Sequence, residues 1–440
     1  MSRLLTGIDL KTLPKTFRHA VQISRRLGFR YLWIDALCIL QDSIEDWRNE
    51  ASKMGSVYEY STCTIAAVWG RNSHSGCFND RQPLKQYPCC VQLDSTGPLY
   101  LHDLDYVKDI HSENNVEGLG FSRRYESIPP LHTRAWVVQE RFLAPRTIFF
   151  GSNVISWECR EGTANELRPK IEREEHNPKE CYQYFTNPLT PLQDEENRVA
   201  FYRNWNVFLW LYTAGRLTKE QDRLVALAGV VSQVEKHTGL TNIFGLWKEL
   251  LPMELLWGRD LGPDGTLRIP PPKKTRAPSW SWASQDGPVN VEQSVGWESC
   301  VSEIVCETIS SISIPTTKYP CISLLGHLVL FSGRIHTASV GINGYCELSH
   351  DEHKRKLEFT PDVPGAWEDD VKFDCYLLLV ASTDSDEVFP GSVYEKGLVL
   401  SKRPSGRFAR TGVFLNFLQT VDETGLFQKH RGERERITIE

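Results

Sequence analysis

The chain has 440 residues, is 40% hydrophobic and 24% charged, and carries a formal net charge of -6. That composition is globular, and the length exceeds one ordinary core, so two or three domains are expected. The acidic balance removes the electrostatic case for a general nucleic-acid binder.

The Cys pattern is equally restrictive. Twelve Cys are scattered along the chain, no C-x-x-C spacing occurs, and Cys89 and Cys90 are adjacent. Neither a zinc site nor a redox dithiol is signalled, and no metal site is predicted. Reduced, mostly buried thiols in a cytoplasmic protein are expected. The stretch from Met1 to Asp9 carries a charge too early for a secretory leader and is too short to span a membrane. The longest apolar runs, around 207–214 and 224–231, are shorter than the ~18 residues of a membrane helix.

In chain order, residues 13–27 predict a helix. Pro14 sits in the first turn, Phe17, Ala20, Val21 and Leu27 form a stripe, and Gly28 is the stop. Residues 29–35 are aromatic and β-branched, and predict a strand buried on both faces that ends on Asp35. Ser43 or Asp42 caps a helix whose face is Trp47, Ala51, Met54 and Tyr58. Residues 62–68 predict a second buried strand, and this alternation is that of a parallel α/β sheet. Residues 87–100 are read as short strands and 113–130 as a surface loop. A helix over 133–143 is stopped by Pro145. Gly151-Ser152-Asn153 then turns a hairpin between 147–150 and 154–159. Residues 161–200 are charged and Pro-interrupted, and read as a polar linker or excursion. Helices are predicted over 199–214, over 219–237 with Thr218 as cap, and over 244–257 with a break at Pro252. From 276 onward the pattern becomes β. The boundaries are therefore 1–160 for an α/β domain, 161–200 for the linker, 201–275 for a helical region and 276–440 for a β-rich region. Trp280 and Trp282 alternate, so a strand would point both rings to one face, with a core role. No internal repeat, Walker motif or G-x-G-x-x-G occurs.

Several blocks occur in a defined order. They are Leu13-Pro14, Trp33-Ile34-Asp35-Ala36-Leu37-Cys38-Ile39-Leu40-Gln41-Asp42, Met54-Gly55-Ser56-Val57-Tyr58, Gly76-Cys77-Phe78 and Arg134-Ala135-Trp136-Val137-Val138-Gln139-Glu140. Ala277 to Ser284 and Arg410-Thr411-Gly412-Val413-Phe414 echo them further on. This order resembles the heterokaryon incompatibility (HET) domain of filamentous fungi, chiefly over residues 10–160. The family's leading Leu-Ser-Tyr-x-Trp-Gly strand is absent, so a sheet without its first strand is expected. HET domains are in turn similar to Toll/interleukin-1 receptor domains, some of which cleave NAD. The resemblance thus implies non-self recognition and programmed cell death, either by hydrolysing NAD or through a non-catalytic self-association or signalling module; an inactive truncated relative is the further alternative. It also implies self-association or a regulatory recognition protein as partner, NAD as a candidate substrate, and no required cofactor.

Within these blocks, Glu140 is the sharpest catalytic candidate. Trp136 and Glu140 have the W-x-x-x-E spacing of Toll/interleukin-1 receptor domains, and a carboxylate beside a ribose stabilises an oxocarbenium-like state. The alternative is an ion pair of Glu140 with Arg134 or Arg141. Asp35, at a strand end, would hold a ribose hydroxyl or cap a helix. Cys38 is a candidate nucleophile, with an inert buried thiol as the favoured reading. Trp136, Arg134, Gln139, Gln41 and Asp42 are candidates for contacting the ligand; for Gln41 and Asp42 a helix-capping role is preferred, and Trp136 either stacks on nicotinamide or packs in the core.

Overall fold

The computed structural model describes residues 7–81, 89–92, 98–101, 129–173, 178–186, 195–260, 272, 274–291, 305–308, 320–336, 346–350, 356–362, 371–385, 392–418 and 434–440. The chain divides into two compact units. The first comprises Met1–Asn187 with Gly215–Thr218 and Val225–Val234, and the second the remainder.

In the first unit, α1 (Lys15–Arg26) is entered through Pro14 and buries Ala20 and Ile23. It ends before Gly28, whose φ of 80° suits a residue without a Cβ. A short α2 (Asp35–Cys38) and the longer α3 (Ile44–Glu59) follow. Ser43 caps α3 by accepting from the Asp46 N–H at 3.2 Å, and Asp46 reaches back to accept from the Leu40 N–H at 2.8 Å. This is a capping box displaced by three residues. β1 (Thr64–Ala66) is next, and β2 (Cys89–Gln92) pairs with β3 (Pro98–Leu101), as the reading of 87–100 expected. Residues 113–128 of the predicted surface loop lie outside the described residues.

α4 (Ala135–Leu143) leads into β4 (Arg146–Phe150), β5 (Ile155–Cys159) and β6 (Gly162–Asn165). The hairpin at Gly151 forms as predicted. The sheet order is β1-β4-β5-β6. β1 runs parallel to β4, while β4–β5 and β5–β6 are antiparallel.

Two expectations are corrected here. The sheet is mixed rather than all parallel, because its C-terminal strands are joined by tight turns, which permit only antiparallel pairing. Residues 29–34 form no strand: the segment is irregular, and the Tyr31 side chain is 85% exposed. Its apolar composition supplies strand propensity, but propensity without a pairing partner does not make a strand. Within the stretch read as a linker, β6 and α5 (Pro178–Thr186) are formed, and Lys179 and Phe185 are fully buried.

β4 divides the core by alternation. Ile148 and Phe150 pack with Ile23, Ile65 and Cys77 on one face, and Phe149 packs with Ala66 and Val68 on the other. The Gly76-Cys77-Phe78 loop docks onto α1 through His19. The His19 Nδ1 accepts from the Cys77 N–H at 3.1 Å, and its ring lies 4.5 Å from that of Phe78. At φ 88°, Gly76 fits where a Cβ would lie 2.9 Å from the imidazole.

The second unit opens with α6 (Glu195–Ala214), four residues earlier than predicted, which buries Phe201, Trp205, Phe208 and Tyr212. Trp205 and Trp247 meet edge to face at 4.9 Å. Residues 219–227 are two 3-10 turns, and the helix proper is Ala228–Thr238. Residues 244–257 are not one helix. They hold β8 (Leu246–Trp247) of a hairpin with β7 (Asn242–Ile243), a 3-10 turn and a four-residue helix, Leu251–Glu254. Phe244 and Gly245 both have positive φ, which no α-helix accommodates.

β9 (Trp257–Arg259) pairs with β10 (Val289–Val291). The C-terminal strands are β11 (Val305–Thr308), β12 (Ile322–Gly326), β13 (Leu328–His336), β14 (Cys346–His350), β15 (Lys356–Pro361), β16 (Val371–Ser385), β17 (Ser392–Lys402), β18 (Phe408–Leu418) and β19 (Glu435–Ile439). Their order is β11-β12-β19-β18-β15-β14-β13-β16-β17, with β17 also paired to β18. That last pairing joins six strands into a ring, packed by Phe331, Phe359, Leu377, Val399 and Phe414. The expected β-rich tail is therefore observed. Trp280 and Trp282 are both fully buried, as expected of core residues, but in a turn entering a 3-10 helix rather than on a strand. Each indole N–H is satisfied, Trp282 by the Gly245 carbonyl at 2.9 Å and Trp280 by the Pro320 carbonyl at 3.3 Å.

Among the described residues, no disulfide forms, no cluster of potential metal ligands occurs, and no helix is long and apolar enough to cross a membrane.

Candidate functional site

The first unit contains a cavity of about 330 Å³. Asp35, Tyr58, Arg134 and Glu140 lie on its wall, together with β1, the 70–73 turn, and His132, Arg141, Thr147 and Phe149. The volume is at the small end of ligand sites, enough for one ring and its sugar rather than a whole dinucleotide.

Glu140 reaches the cavity because α4 packs against α3. The end of α3 presents Tyr58, whose hydroxyl donates to Glu140 Oε2 at 2.8 Å. Tyr58 is itself held edge to face by Trp33 at 5.9 Å, which ties the first motif to the second. Burial raises the Glu140 carboxyl above the usual carboxylate range; the Tyr58 hydrogen bond and Arg134 oppose that rise, and Asp35 adds to it. The Tyr58 phenol is held well above its ordinary range, first by burial and then by Glu140, so it remains a donor. The start of α4 is anchored by the Ala135 N–H donating to the Arg216 carbonyl at 3.0 Å and the Arg216 N–H donating to the Thr133 carbonyl at 2.6 Å. Gly215 permits this approach, since a Cβ there would lie 2.6 Å from Ala135 Cα.

Asp35 is the first residue of α2. Its Oδ1 accepts from the adjacent Ala36 N–H at 2.7 Å, and the residue borders the cavity. Arg134 is exposed at the cavity wall.

Other expected contacts do not assemble there. Cys38 is exposed and does not line the cavity, so the expected burial of this thiol is corrected. The Gln41 side chain donates to the Ile39 carbonyl at 3.0 Å and the Asp35 carbonyl at 3.3 Å, closing the short α2. Asp42 is not on the cavity wall, and the α3 cap is Ser43. Gln139 is fully buried, and its Oε1 accepts from the Gly229 N–H at 2.7 Å, so it fastens α4 to Val225–Val234. Trp136 is half-buried and off the cavity wall. Trp136 and Glu140 are one turn apart, but the four-residue step leaves enough angular offset for only Glu140 to face the cavity.

Sequence reasoning missed Tyr58 as a site residue, having assigned it to a packing stripe, and it left out Thr147 and Arg141. The signal for Tyr58 was its place at the end of a stripe otherwise made of small and apolar residues.

An α/β unit with a ligand-sized cavity between α3, α4 and β1, its wall carrying Asp35 and Glu140 beside Arg71, Arg134 and Arg141, is thus the defining feature. Residues 2–140 match the family model described as Heterokaryon incompatibility protein (HET). Those residues thus resemble a HET domain, and the match encompasses Asp35, Tyr58, Arg134 and Glu140. Neither a curated protein nor a solved structure matches the chain.

Proposed function

We propose that the chain is a fungal incompatibility effector that acts in the cytoplasm by hydrolysing NAD at the nicotinamide–ribose bond. The observation that carries this reading is the Glu140 carboxylate, held by Tyr58 on the wall of a cavity sized for one ring and its sugar. The W-x-x-x-E spacing of Trp136 and Glu140 adds the likeness to Toll/interleukin-1 receptor domains.

In the proposed reaction the bond between the anomeric carbon and the pyridinium nitrogen breaks, and its electron pair goes to the ring, which leaves as neutral nicotinamide. The ribose carbon becomes oxocarbenium-like, and the Glu140 carboxylate beside it stabilises that charge. Water then adds to the carbon and releases a proton to solvent, giving ADP-ribose. Asp35 orients the ribose hydroxyls or the water, and the exposed Arg134 guanidinium suits the pyrophosphate. No cofactor is required. Self-association or a recognition protein brings the unit to its active arrangement.

NAD is to be measured in cells expressing the chain or Glu140→Gln. The reading predicts NAD depletion with the parent sequence alone; equal NAD in both contradicts it.

A second reading, signalling without catalysis, draws on the exposed Tyr31, Ile44 and Tyr60, at 85%, 70% and 74% exposure. It predicts that charged substitutions at these positions abolish the cellular response while Glu140→Gln preserves it.

A further inference from the structure

Residues 70–78 run from the cavity wall back onto α1. Gly70, Arg71, Asn72 and Ser73 border the Glu140 cavity, as do Thr16 and Phe17 of α1. The Thr16 N–H donates to the Ser73 carbonyl at 2.9 Å, and the Thr16 hydroxyl accepts from the Gly76 N–H at 3.1 Å. Two further bonds end on a single nitrogen. His19 Nδ1 accepts from the Cys77 N–H at 3.1 Å and from the Phe78 N–H at 3.4 Å. A backbone N–H can only donate, so both bonds require Nδ1 to carry no proton.

The surroundings oppose a proton there. On α1, Lys15 and Arg18 are the charges that act on the imidazole, and no described carboxylate does. On the loop, the Cys77 thiol stays neutral, pushed up to about 11 by burial, and the Phe78 ring lies 4.5 Å away. Phe78 in turn meets Phe150 of β4 edge to face at 5.7 Å, so that side is apolar. Burial first, then Lys15 and Arg18, hold the imidazole below its ordinary value of 6.5. The fit is close, since a Cβ at Gly76 would lie 2.9 Å from the ring.

We propose that His19 is a pH-sensitive latch, whose protonation on acidification frees residues 77–78 from α1 and loosens the cavity wall that the 70–73 turn forms. A proton on Nδ1 turns the acceptor of two bonds into a donor facing two donors, so both bonds are lost together. The imidazole binds its proton more weakly in the folded chain than in the unfolded one. Its contribution to holding the loop is therefore full above about 6.5 and is lost as pH falls through the lower, folded value. Thr16 retains its bonds with Ser73 and Gly76, which do not titrate, so the result is a local opening within a folded unit. The latch does not depend on the NAD reading, because it concerns access to the cavity and not what enters it.

The test is amide hydrogen exchange of the purified full-length chain from about pH 7.5 to 5, with intrinsic rates corrected for pH. The Cys77 and Phe78 amides are expected to lose about tenfold in protection across that range, the factor for one hydrogen bond, while the β4 amides keep theirs. His19→Asn supplies an acceptor that does not titrate, and His19→Ala supplies none. The pH step is expected to vanish in both, with protection staying high in His19→Asn and low in His19→Ala. Thermal melts at each pH establish that all three proteins are folded. A step that survives in either variant overturns the proposal, because another group then titrates. A parent without the step overturns it as well. So does a His19 imidazole that titrates at its ordinary value by NMR, since an unshifted group is not linked to loop opening.

Discussion

The Tyr58 hydroxyl and the Glu140 carboxylate share a hydrogen bond of 2.8 Å across 82 residues of sequence. It joins the end of α3 to the middle of α4 and fixes one of the two carboxylates on the cavity wall. Tyr58 opposes the rise that burial imposes on Glu140, so it favours the ionised carboxylate. Tyr58 thereby positions Glu140 and opposes its protonation.

Tyr58→Phe is therefore expected to act through Glu140. Without the donor the carboxyl rises further, and NAD cleavage, which needs the carboxylate, shifts its acid limb to higher pH. In the parent that limb already lies above the ordinary carboxylate range, and activity falls as pH falls through it. The rate at neutral pH drops by about tenfold for a loss of roughly 1.4 kcal/mol. A pH profile of nicotinamide release checks this; a limb that does not move contradicts the assignment.

Gln139 is expected to be structural although it adjoins Glu140. Gln139→Ala leaves the Gly229 N–H without its side-chain partner. Unfolding free energy should drop by about 1–3 kcal/mol, as for a buried group left unpaired. Nicotinamide affinity at a temperature where the variant is folded should be unchanged. Denaturant melts with a parallel titration distinguish this from a ligand-contacting role.

Gly76→Ala tests the docking of the Gly76-Cys77-Phe78 loop on α1. A side chain at φ 88° is strained, and the new Cβ would stand 2.9 Å from the His19 ring. A loss of about 1–2 kcal/mol is expected. His19→Ala should remove part of that penalty when combined with it, which a double-mutant cycle measures. Additive effects contradict the contact.

These cases show how far the residues could be read. α1, α3, α4 and the β4–β5 hairpin were legible because each has local punctuation: Pro14 and Gly28, Ser43 and Asp46, Pro145, and Gly151. The role of residues 29–34 was not, because a strand needs a neighbour that local composition does not specify. The Trp136–Glu140 spacing identified the correct helix. It could not show that Gln139 and Glu140 serve different neighbours, which depends on the packing of Val225–Val234 and α3. Tyr58, Thr147 and His132 come together from three separate elements, and no local pattern encodes that convergence.

In the second unit, Glu254 makes stability pH-dependent. It is fully buried, accepts from the Tyr202 hydroxyl at 2.6 Å and the Trp247 N–H at 3.1 Å, and has its carboxyl pushed up to about 7 by burial. The folded chain therefore holds this proton at pH values where the unfolded chain has released it. Its stabilising contribution is full below the ordinary Glu range of about 4.5 and is lost as pH rises to about 7. The change is roughly 3 kcal/mol. Glu254→Gln keeps both hydrogen bonds, with its amide donating to Tyr202, and should be more stable than the parent at pH 8 but not at pH 4.5. Melting temperatures at the two pH values check the sign.

The central claim is that Glu140 cleaves the nicotinamide–ribose bond. The most direct measurement is nicotinamide release from NAD by the purified full-length chain, beside Glu140→Gln of matched melting temperature. Release by the parent and its loss in Glu140→Gln is the predicted result. Release that is undetectable in both, or equal in both, contradicts it.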